Sequence, residues 1–286
     1  MKEIEKIQEA VLCWYEKNGR KLPWRETTDP YKILVSEMML QQTQVDRVIP
    51  KYNAFLEEFP TTQTLATAAT ADVLRMWSGL GYNRRALYLQ KCARAIEAEH
   101  KGIFPEKENE LQELPGIGPY TRAAVVSFAF NKNIAVIDVN IELLYKRIFY
   151  NKAENVQAIA QTLLPKERSR DWHNALMDIG ALFCTAKNPK CNDCPLSKFC
   201  ASANKKERHE ATREKKKVVP FKESDRIVRG TVLKLLTKEN NQEITKVYKQ
   251  LLEQNIKREK EKFEEIVLQL EKDGLVKREN NVVSLP

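Results

Sequence analysis

The sequence predicts a mainly α fold. Apolar residues recur at helical spacing over most of the chain, beginning with a stripe in residues 3–19 formed by Ile4, Ile7, Val11, Leu12 and Tyr15. Further helical patterns cover residues 31–40, 61–100, 120–130 and 154–182. Turns rich in glycine or proline separate these patterns, and Thr61 or Thr62 can cap a helix. We expect these helices to form one body over residues 1–203.

The last third of the chain predicts a second, smaller domain. Residues 204–223 are polar and strongly charged, which is typical of a basic linker or a loosely ordered arm. Three more helical patterns and a hairpin pattern around Asn280 follow, over residues 226–236, 244–252, 257–273 and 276–285. We therefore expect a linker at 204–223 and a C-terminal domain at 224–286.

The chain is basic, with 48 Lys and Arg against 39 Asp and Glu and a net charge of +9. This charge favours a polyanionic partner, although nucleic acid and an acidic membrane surface are both compatible with it. No stretch has the apolar length that spans a bilayer, and the N-terminal MKEIEKIQEA lacks the features of a signal peptide. We expect a cytoplasmic protein that is not secreted and has no membrane partner.

The stretch LPGIGPYT at residues 114–121 predicts a tight turn between two helices. Gly116 and Gly118 suit the turn, and Pro119 suits the first helical position, where a missing N–H is harmless. Backbone N–H groups at such a helix N-terminus attract an anion such as a phosphate. Asp138 follows the apolar segment 134–137. A phosphate-binding hairpin and a plain helical turn followed by a surface aspartate both fit these residues.

A carboxylate lies inside the otherwise apolar helix pattern KILVSEMML. Glu37 either points outward to water or is held in a pocket. Buried carboxylates are rare, so the residue pattern alone favours the outward position. These two alternatives are open at this point.

Four of the six cysteines predict a metal site. They are spaced as Cys184-x6-Cys191-x2-Cys194-x5-Cys200. Four thiolates this close can hold zinc or an iron–sulfur cluster, and two pairs at x2 spacing would have favoured zinc. Cys13 and Cys92 stand alone in helical patterns, and we expect both to be buried, reduced core thiols.

Several of these segments resemble one family. LPGIGPYT followed by VIDVN resembles the helix-hairpin-helix, glycine-proline-aspartate (HhH-GPD) superfamily of DNA glycosylases, which also uses the 6-2-5 cysteine spacing for a [4Fe–4S] cluster. LPWR, DPYK, SEMMLQQTQV and GLGYNRRAL further resemble adenine glycosylases of the MutY kind. The resemblance covers about residues 5–200. It implies a two-lobed helical glycosylase with a [4Fe–4S] loop held by the four clustered cysteines.

The resemblance implies four catalytic residues: Glu37, Tyr120, Asp138 and Asn140. Burial of Glu37 would raise its pKa and keep it ready to protonate an adenine ring nitrogen. Asp138 would stay ionised and stabilise an oxocarbenium-like sugar on the same extruded nucleoside, while Tyr120 and Asn140 orient the acids and the water. Lyase members carry a Lys nucleophile where this chain has Tyr120, so the resemblance implies hydrolysis without a Schiff base.

A second set of residues is expected to contact DNA. The hairpin at Gly116 and Gly118 would grip the backbone of the lesion strand. Gln42 matches a residue that wedges into the base stack, and Tyr82 matches an aromatic residue that inserts beside the partner base. Asn174 aligns with a position placed against the flipped adenine.

Four further residues, three of them arginines, extend this DNA-contacting set. Trp24 and Arg25 belong to the family-like LPWR loop. Arg84 and Arg85 follow Tyr82, and we expect them to pair with phosphates rather than form an ordinary solvated turn.

Some residues depart from the family pattern. Val139 stands where Gly is usual and, being β-branched, cannot adopt a positive φ easily. Asn174 replaces Glu or Gln, and its neighbour His173 replaces an Asn; a lone His is more often a core or surface residue than a catalyst. The predicted C-terminal domain resembles a winged helix, which binds DNA or proteins, instead of the Nudix-like domain of many MutY enzymes.

We expect a monofunctional base excision enzyme, at the nucleoid and acting as a monomer, that flips and removes a mispaired adenine opposite 8-oxoguanine or guanine. LQQTQV favours adenine. Mismatch thymine or uracil glycosylases are close relatives that share the Tyr and the cluster, and they are the first alternative. A DNA-binding repair protein that has lost catalysis is the second, and the intact Glu37 and Asp138 argue against it.

Overall fold

The computed structural model confirms the mainly α fold. It describes residues 2–150, 155–203, 205, 220 and 223–286. Within these residues the α-helices are α1 (Lys2–Asn18), α2 (Pro30–Leu40), α3 (Val45–Glu58), α4 (Thr62–Thr67), α5 (Thr70–Trp77), α6 (Arg84–His100), α7 (Glu108–Glu113), α8 (Pro119–Phe130), α9 (Val139–Phe149), α10 (Val156–Leu163), α11 (Ser169–Leu182), α12 (Asp225–Lys238), α13 (Ile244–Glu253) and α14 (Lys260–Lys272). The strands are β1 (Gln242–Glu243), β2 (Lys277–Glu279) and β3 (Val282–Ser284). The predicted linker lies almost entirely outside the described residues.

The described residues fall into two compact units. The first takes its residues from 1–33, 105–113 and 117–214. Its main core is formed by the apolar faces of α1, α9, α10 and α11. The predicted stripe on α1 is part of it, with Val11 fully buried, and α11 contributes Trp172 and Ile179. These faces form because apolar residues repeat every three or four positions along each helix.

The second unit takes its residues from 34–104, 114–116 and 215–286. Its α4 begins with a capping box in which Thr61, one of the two predicted caps, accepts the N–H of Thr64. Phe55 of α3 and Trp77 of α5 pack edge to face with ring centroids 5.9 Å apart. Gln90 of α6 donates to the carbonyl of Ala68 (2.8 Å), which fixes α6 against the end of α4.

The helices α12, α13 and α14 and the sheet form the C-terminal part of the second unit. The sheet order is β1-β3-β2, and both pairs are antiparallel. Asn280, at the turn between β2 and β3, has a φ of +53°, a conformation that asparagine tolerates. The order helix, strand, helix, helix, strand, strand agrees with the predicted winged-helix-like fold. The short strand β1 was not predicted.

None of the six cysteines forms a disulfide. Cys92 is fully buried as predicted, but the prediction for Cys13 is wrong because this residue is exposed. Position 13 lies beside the apolar stripe of α1 and not within it. Among the described residues, no helix has both the length and the apolar character needed to cross a membrane.

Candidate active site

A tight turn between α7 and α8 is shaped by two exposed glycines. Gly116 has a φ of +81°, and a Cβ atom there would lie 2.6 Å from the Cβ of Tyr88, so only glycine fits. Gly118 is the N-cap of α8, and a Cβ there would meet no described atom within 4 Å. No side chain of the described residues caps this helix. The exposed start of α8 is therefore suited to backbone contact with an anion.

Asp138 is the N-cap of α9. Its Oδ1 accepts the backbone N–H groups of Asn140 (3.0 Å) and Ile141 (2.7 Å), and its Oδ2 accepts the side-chain amide of Asn140 (3.2 Å). Burial raises the pKa of Asp138, and these hydrogen bonds oppose the rise because they favour the charged form. The carboxylate is thus fixed in orientation. Val139 is 62% exposed and does not take a positive φ, so glycine is not required there.

The segment before Asp138 is held by His173 of α11. Nε2 of His173 accepts the backbone N–H of Val136 (3.0 Å), so the ring proton lies on Nδ1, which donates to the carbonyl of Ser169 (2.7 Å). The ring is 1% exposed, and burial lowers the pKa of His173 to about 4. His173 is therefore a neutral core residue that fixes the backbone two residues before Asp138.

Glu37 is buried on α2, with 6% of its surface exposed. Its helix neighbours Ser36 and Met38 are also buried. The structure therefore has the buried alternative and not the outward one. Only Glu37 and Asp178 are buried acids among the described residues, and Asp178 is ion-paired with two arginines.

Arg85 of α6 connects the end of α2 to the turn before α6. Its guanidinium donates to the carbonyls of Met38 (2.7 Å), Gln41 (2.7 Å) and Gly81 (2.8 Å). The residue is 7% exposed, and burial lowers the pKa of Arg85 to about 10. The predicted phosphate contact of Arg85 is wrong, because its donors are occupied by backbone carbonyls. Arg85 instead holds the two turns that carry Gln42 and Tyr82.

Gln42 and Tyr82 both have strained backbones. Their φ angles are +55° and +47°, which cost about 1–3 kcal/mol each for residues other than glycine. Gln42 is exposed, and Tyr82 is 42% exposed. With Gly116 they line one cleft of the second unit, with a volume of about 1220 Å³. The structure therefore brings together three of the predicted DNA-contacting residues.

Trp24 and Arg25 lie in a short 3₁₀ turn of the first unit (Pro23–Arg25) and are buried. Arg25 forms a bidentate pair with Asp178 (2.8 and 2.9 Å), and Nε of Arg20 adds a contact of 2.6 Å. Burial raises the pKa of Asp178, but the hydrogen bonds and charge of Arg25, together with Arg20, outweigh it and lower the pKa. The structure thus differs from the predicted DNA contact, because the donors of Arg25 are used internally.

Two further predicted residues lie in the first unit. Asn174 is on α11, one turn before Asp178, and is 6% exposed. Its backbone carbonyl accepts a hydrogen bond from Arg25 (3.3 Å). Tyr120 is half-buried in the first turn of α8. The base contact of Asn174 and the orienting role of Tyr120 stay predictions.

The cysteines Cys184, Cys191, Cys194 and Cys200 line one small cavity of the first unit. Arg147 of α9 donates to the sulfur of Cys184 (3.4 Å) and to the carbonyls of Thr185 (2.8 Å) and Ala186 (3.0 Å). Four thiols beside a buried guanidinium fit an anionic [4Fe–4S] cluster. Among the described residues, no group of three or more Cys, His, Asp or Glu is arranged around a single metal ion.

Comparison with known proteins identifies the family. Residues 35–166 match the model described as "HhH-GPD superfamily base excision DNA repair protein", and residues 184–200 match the "Iron-sulfur binding domain of endonuclease III". The solved structure of a thermostable thymine-DNA glycosylase is 30% identical, with a TM-score of 0.67, over 71% of this chain and 97% of its own. This chain belongs to the HhH-GPD superfamily. The four clustered cysteines are the ligands of its [4Fe–4S] cluster.

The curated relatives of this HhH-GPD protein include adenine DNA glycosylases. The one from Buchnera aphidicola subsp. Baizongia pistaciae is 39% identical over 221 residues, and the one from Mycobacterium tuberculosis (strain ATCC 25618 / H37Rv) is 41% identical over 200 residues. These matches cover 74% and 67% of this chain, and the chain spans 63% and 66% of the relatives' lengths. The resemblance to the MutY kind is confirmed. Neither family model reaches α12, α13 or α14.

The positioning roles of four residues were not predicted from the sequence: Arg85, Arg147, His173 and Asp178. Each of them has a partner that lies between 37 and 158 residues away along the chain. A buried polar side chain with distant partners leaves no local pattern. The capping role of Asp138 did leave a signal, since Asp is a preferred N-cap and it directly precedes a helix-forming stretch.

Proposed function

We propose that this protein is a monofunctional DNA glycosylase, acting as a monomer on duplex DNA, that hydrolyses the N-glycosidic bond of a mispaired adenine opposite 8-oxoguanine or guanine. The observation that carries the proposal is the burial of the Glu37 carboxyl group in the apolar helix α2. Burial disfavours the charged form of a carboxyl group, and the uncharged form is the one that donates a proton.

The proposed reaction uses the two carboxyl groups in different states. Glu37 donates a proton to a ring nitrogen of adenine, so the base leaves as a neutral molecule. Asp138 carries the negative charge that stabilises the developing positive charge on the sugar. Its hydrogen bonds from Asn140 and Ile141 fix that charge in place before reaction. Water then adds to the sugar carbon from which the base has left, and the proton that this water loses returns to the Glu37 carboxylate.

The hydrolytic outcome rests on Tyr120. A bifunctional lyase needs an amine nucleophile to form a Schiff base, and a phenol cannot supply one. We propose that Tyr120 orients the reacting groups instead. The DNA backbone is bound at the glycine turn before α8, where Gly118 leaves open space in front of the helix start.

A mismatch thymine or uracil glycosylase is the second candidate. It is favoured by the similarity to the thermostable thymine-DNA glycosylase, at 30% identity over nearly the whole of that protein. The adenine candidate is favoured by the higher identity, 39% and 41%, to adenine DNA glycosylases. We rank adenine first for this reason.

The test is an excision assay on labelled duplexes that contain A:8-oxoguanine, A:G, T:G or U:G, with alkali to cut the abasic product. We expect the strand to be cut at the adenine of the A:8-oxoguanine and A:G duplexes, and only when alkali is added. Glu37→Gln and Asp138→Asn should each abolish this cutting. Glu142→Gln, one turn after Asp138 on α9, is the control and should stay active. Cutting only at T:G or U:G overturns the adenine proposal. Full activity of Glu37→Gln or Asp138→Asn overturns the role given to that residue.

A further inference from the structure

The cleft that contains Gln42 and Tyr82 has a second wall made by α12. One wall consists of the turn after α2 and the turn before α6, and the other presents Arg226, Gly230, Leu233, Lys234 and Thr237. These positions are spaced by three, four or seven residues, so they share one face of α12. The cleft and both walls lie within the second unit.

The lining of the cleft is strongly basic. Six lining residues are cationic, namely Arg47, Arg84, Arg85, Arg226, Arg229 and Lys234, and no described lining residue is Asp or Glu. Asp273, outside the lining, pairs with Arg229 and lies 4.0 Å from Arg84. Arg226 and Lys234 are exposed. The α12 wall therefore adds positive charge beyond what Asp273 offsets, which suits a polyanion.

An aromatic ring lies between cations at the floor of the cleft. The guanidinium of Arg226 is 5.1 Å from the ring centroid of Tyr82, and that of Arg85 is 5.6 Å from it. An exposed aromatic residue beside arginines is a platform on which a nucleic-acid base stacks. A Cβ atom on Gly230 would meet no described atom within 4 Å, so the backbone of α12 is open to close approach there.

We infer that α12 binds the DNA strand that carries the base opposite the excised one. The inference rests on the proposed function and on the family resemblance, which implies that Tyr82 inserts beside that partner base. The strand passes along α12 beside the contact between Arg226 and Tyr82, with its phosphates at Arg226 and Lys234 and its closest approach at Gly230. The C-terminal helices thereby complete the DNA-binding surface of the glycosylase, although the matched family models stop before them.

The affinity test uses the full chain with Asp138→Asn, so that the duplex is bound without being cut. Fluorescence anisotropy gives the Kd for an A:8-oxoguanine duplex at several salt concentrations. We expect Lys234→Glu and Gly230→Glu each to weaken binding by about tenfold and to lower the salt-dependence slope by about one. Lys249→Glu, an equal charge reversal at an exposed residue of α13 outside the cleft, should change Kd by less than about twofold. Gly230→Glu replaces a poor helix former in α12 with a good one, so the thermal stability of this variant should not fall.

The strand assignment is tested by a photo-crosslinking residue in place of Thr237. We expect crosslinks to the strand that carries 8-oxoguanine. Unchanged Kd and slope in both cleft variants, tighter binding, or crosslinks confined to the adenine strand would each overturn the inference. The two hypotheses fail in different ways. If the proposed function is wrong, the unaltered protein does not excise adenine. If only the inference about α12 is wrong, the unaltered protein excises adenine and the α12 variants bind DNA as it does.

Discussion

Acid should weaken the fold through the buried imidazole of His173. Burial lowers the pKa of His173 from 6.5 to about 4. Above pH 6.5 the imidazole is neutral in both the folded and the unfolded chain. Below it the unfolded chain binds a proton that the folded protein excludes, so stability falls as pH falls toward 4. The loss is about 2 kcal/mol between about pH 7.5 and pH 5, and about 3 kcal/mol in full.

Urea unfolding at several pH values measures this loss. The matched variant is His173→Gln, which does not titrate and whose Oε1 can still accept the Val136 N–H. All other groups titrate equally in the unaltered protein and in His173→Gln. The difference in the free energy of unfolding between these two proteins should therefore shrink by about 2 kcal/mol between about pH 7.5 and pH 5. His100→Gln, at the end of α6, is the second control, and cluster absorbance identifies samples that keep their iron. Parallel pH curves for the unaltered protein and His173→Gln would refute the reasoning.

Substitutions at three positions test the other positioning contacts. Asp138→Asn keeps a good N-cap, so it should abolish excision and change the free energy of unfolding by less than about 0.5 kcal/mol. Asp138→Ala should abolish excision and also lower the free energy of unfolding in urea by about 1 kcal/mol. Equal stabilities of the two variants would contradict the capping role. Arg85→Lys removes the guanidinium that donates to the backbone carbonyls and should lower the free energy of unfolding by at least about 3 kcal/mol, while Arg84→Lys should leave it unchanged. Equal thermal stabilities of the two variants would contradict this role of Arg85. Asp178→Asn leaves two arginines without their carboxylate and should cost about 3–5 kcal/mol, against almost nothing for the half-buried Asp171→Asn; a similar small effect of both would contradict the buried pair.

Helix positions were predictable from the sequence because the signal is local. The stripe on α1, the cap at Thr61 and the proline at the start of α8 each place a boundary from a few neighbouring residues. Strand β1 was not predictable, because two residues carry no period and their conformation comes from pairing with β3. The four cysteines predicted a metal site because they lie close together in the chain, and the family resemblance identified that site as a [4Fe–4S] cluster.

The roles of the arginines were the least predictable part of the site. Arg25 lies in a polar turn and Arg85 at the start of a basic helix, where a basic residue ordinarily faces solvent or a phosphate. Each side chain is instead held by partners that are distant along the chain: Asp178 is 153 residues from Arg25, and the carbonyls of Gln41 and Met38 are 44 and 47 residues from Arg85. No local pattern contains a partner at that separation. The burial of Glu37 was likewise undecided by its helix alone and depended on packing.

Helix α9 is attached at both ends. Asp138 caps its start, and Arg147, nine positions later and about 14 Å along the axis, grips the loop that carries the iron. A hydrogen-bonded helix of this length behaves as a short rod, so its two attachments cannot shift independently. Oxidative loss of iron is therefore expected to loosen the position of the Asp138 carboxylate as well, although this carboxylate does not contact the metal.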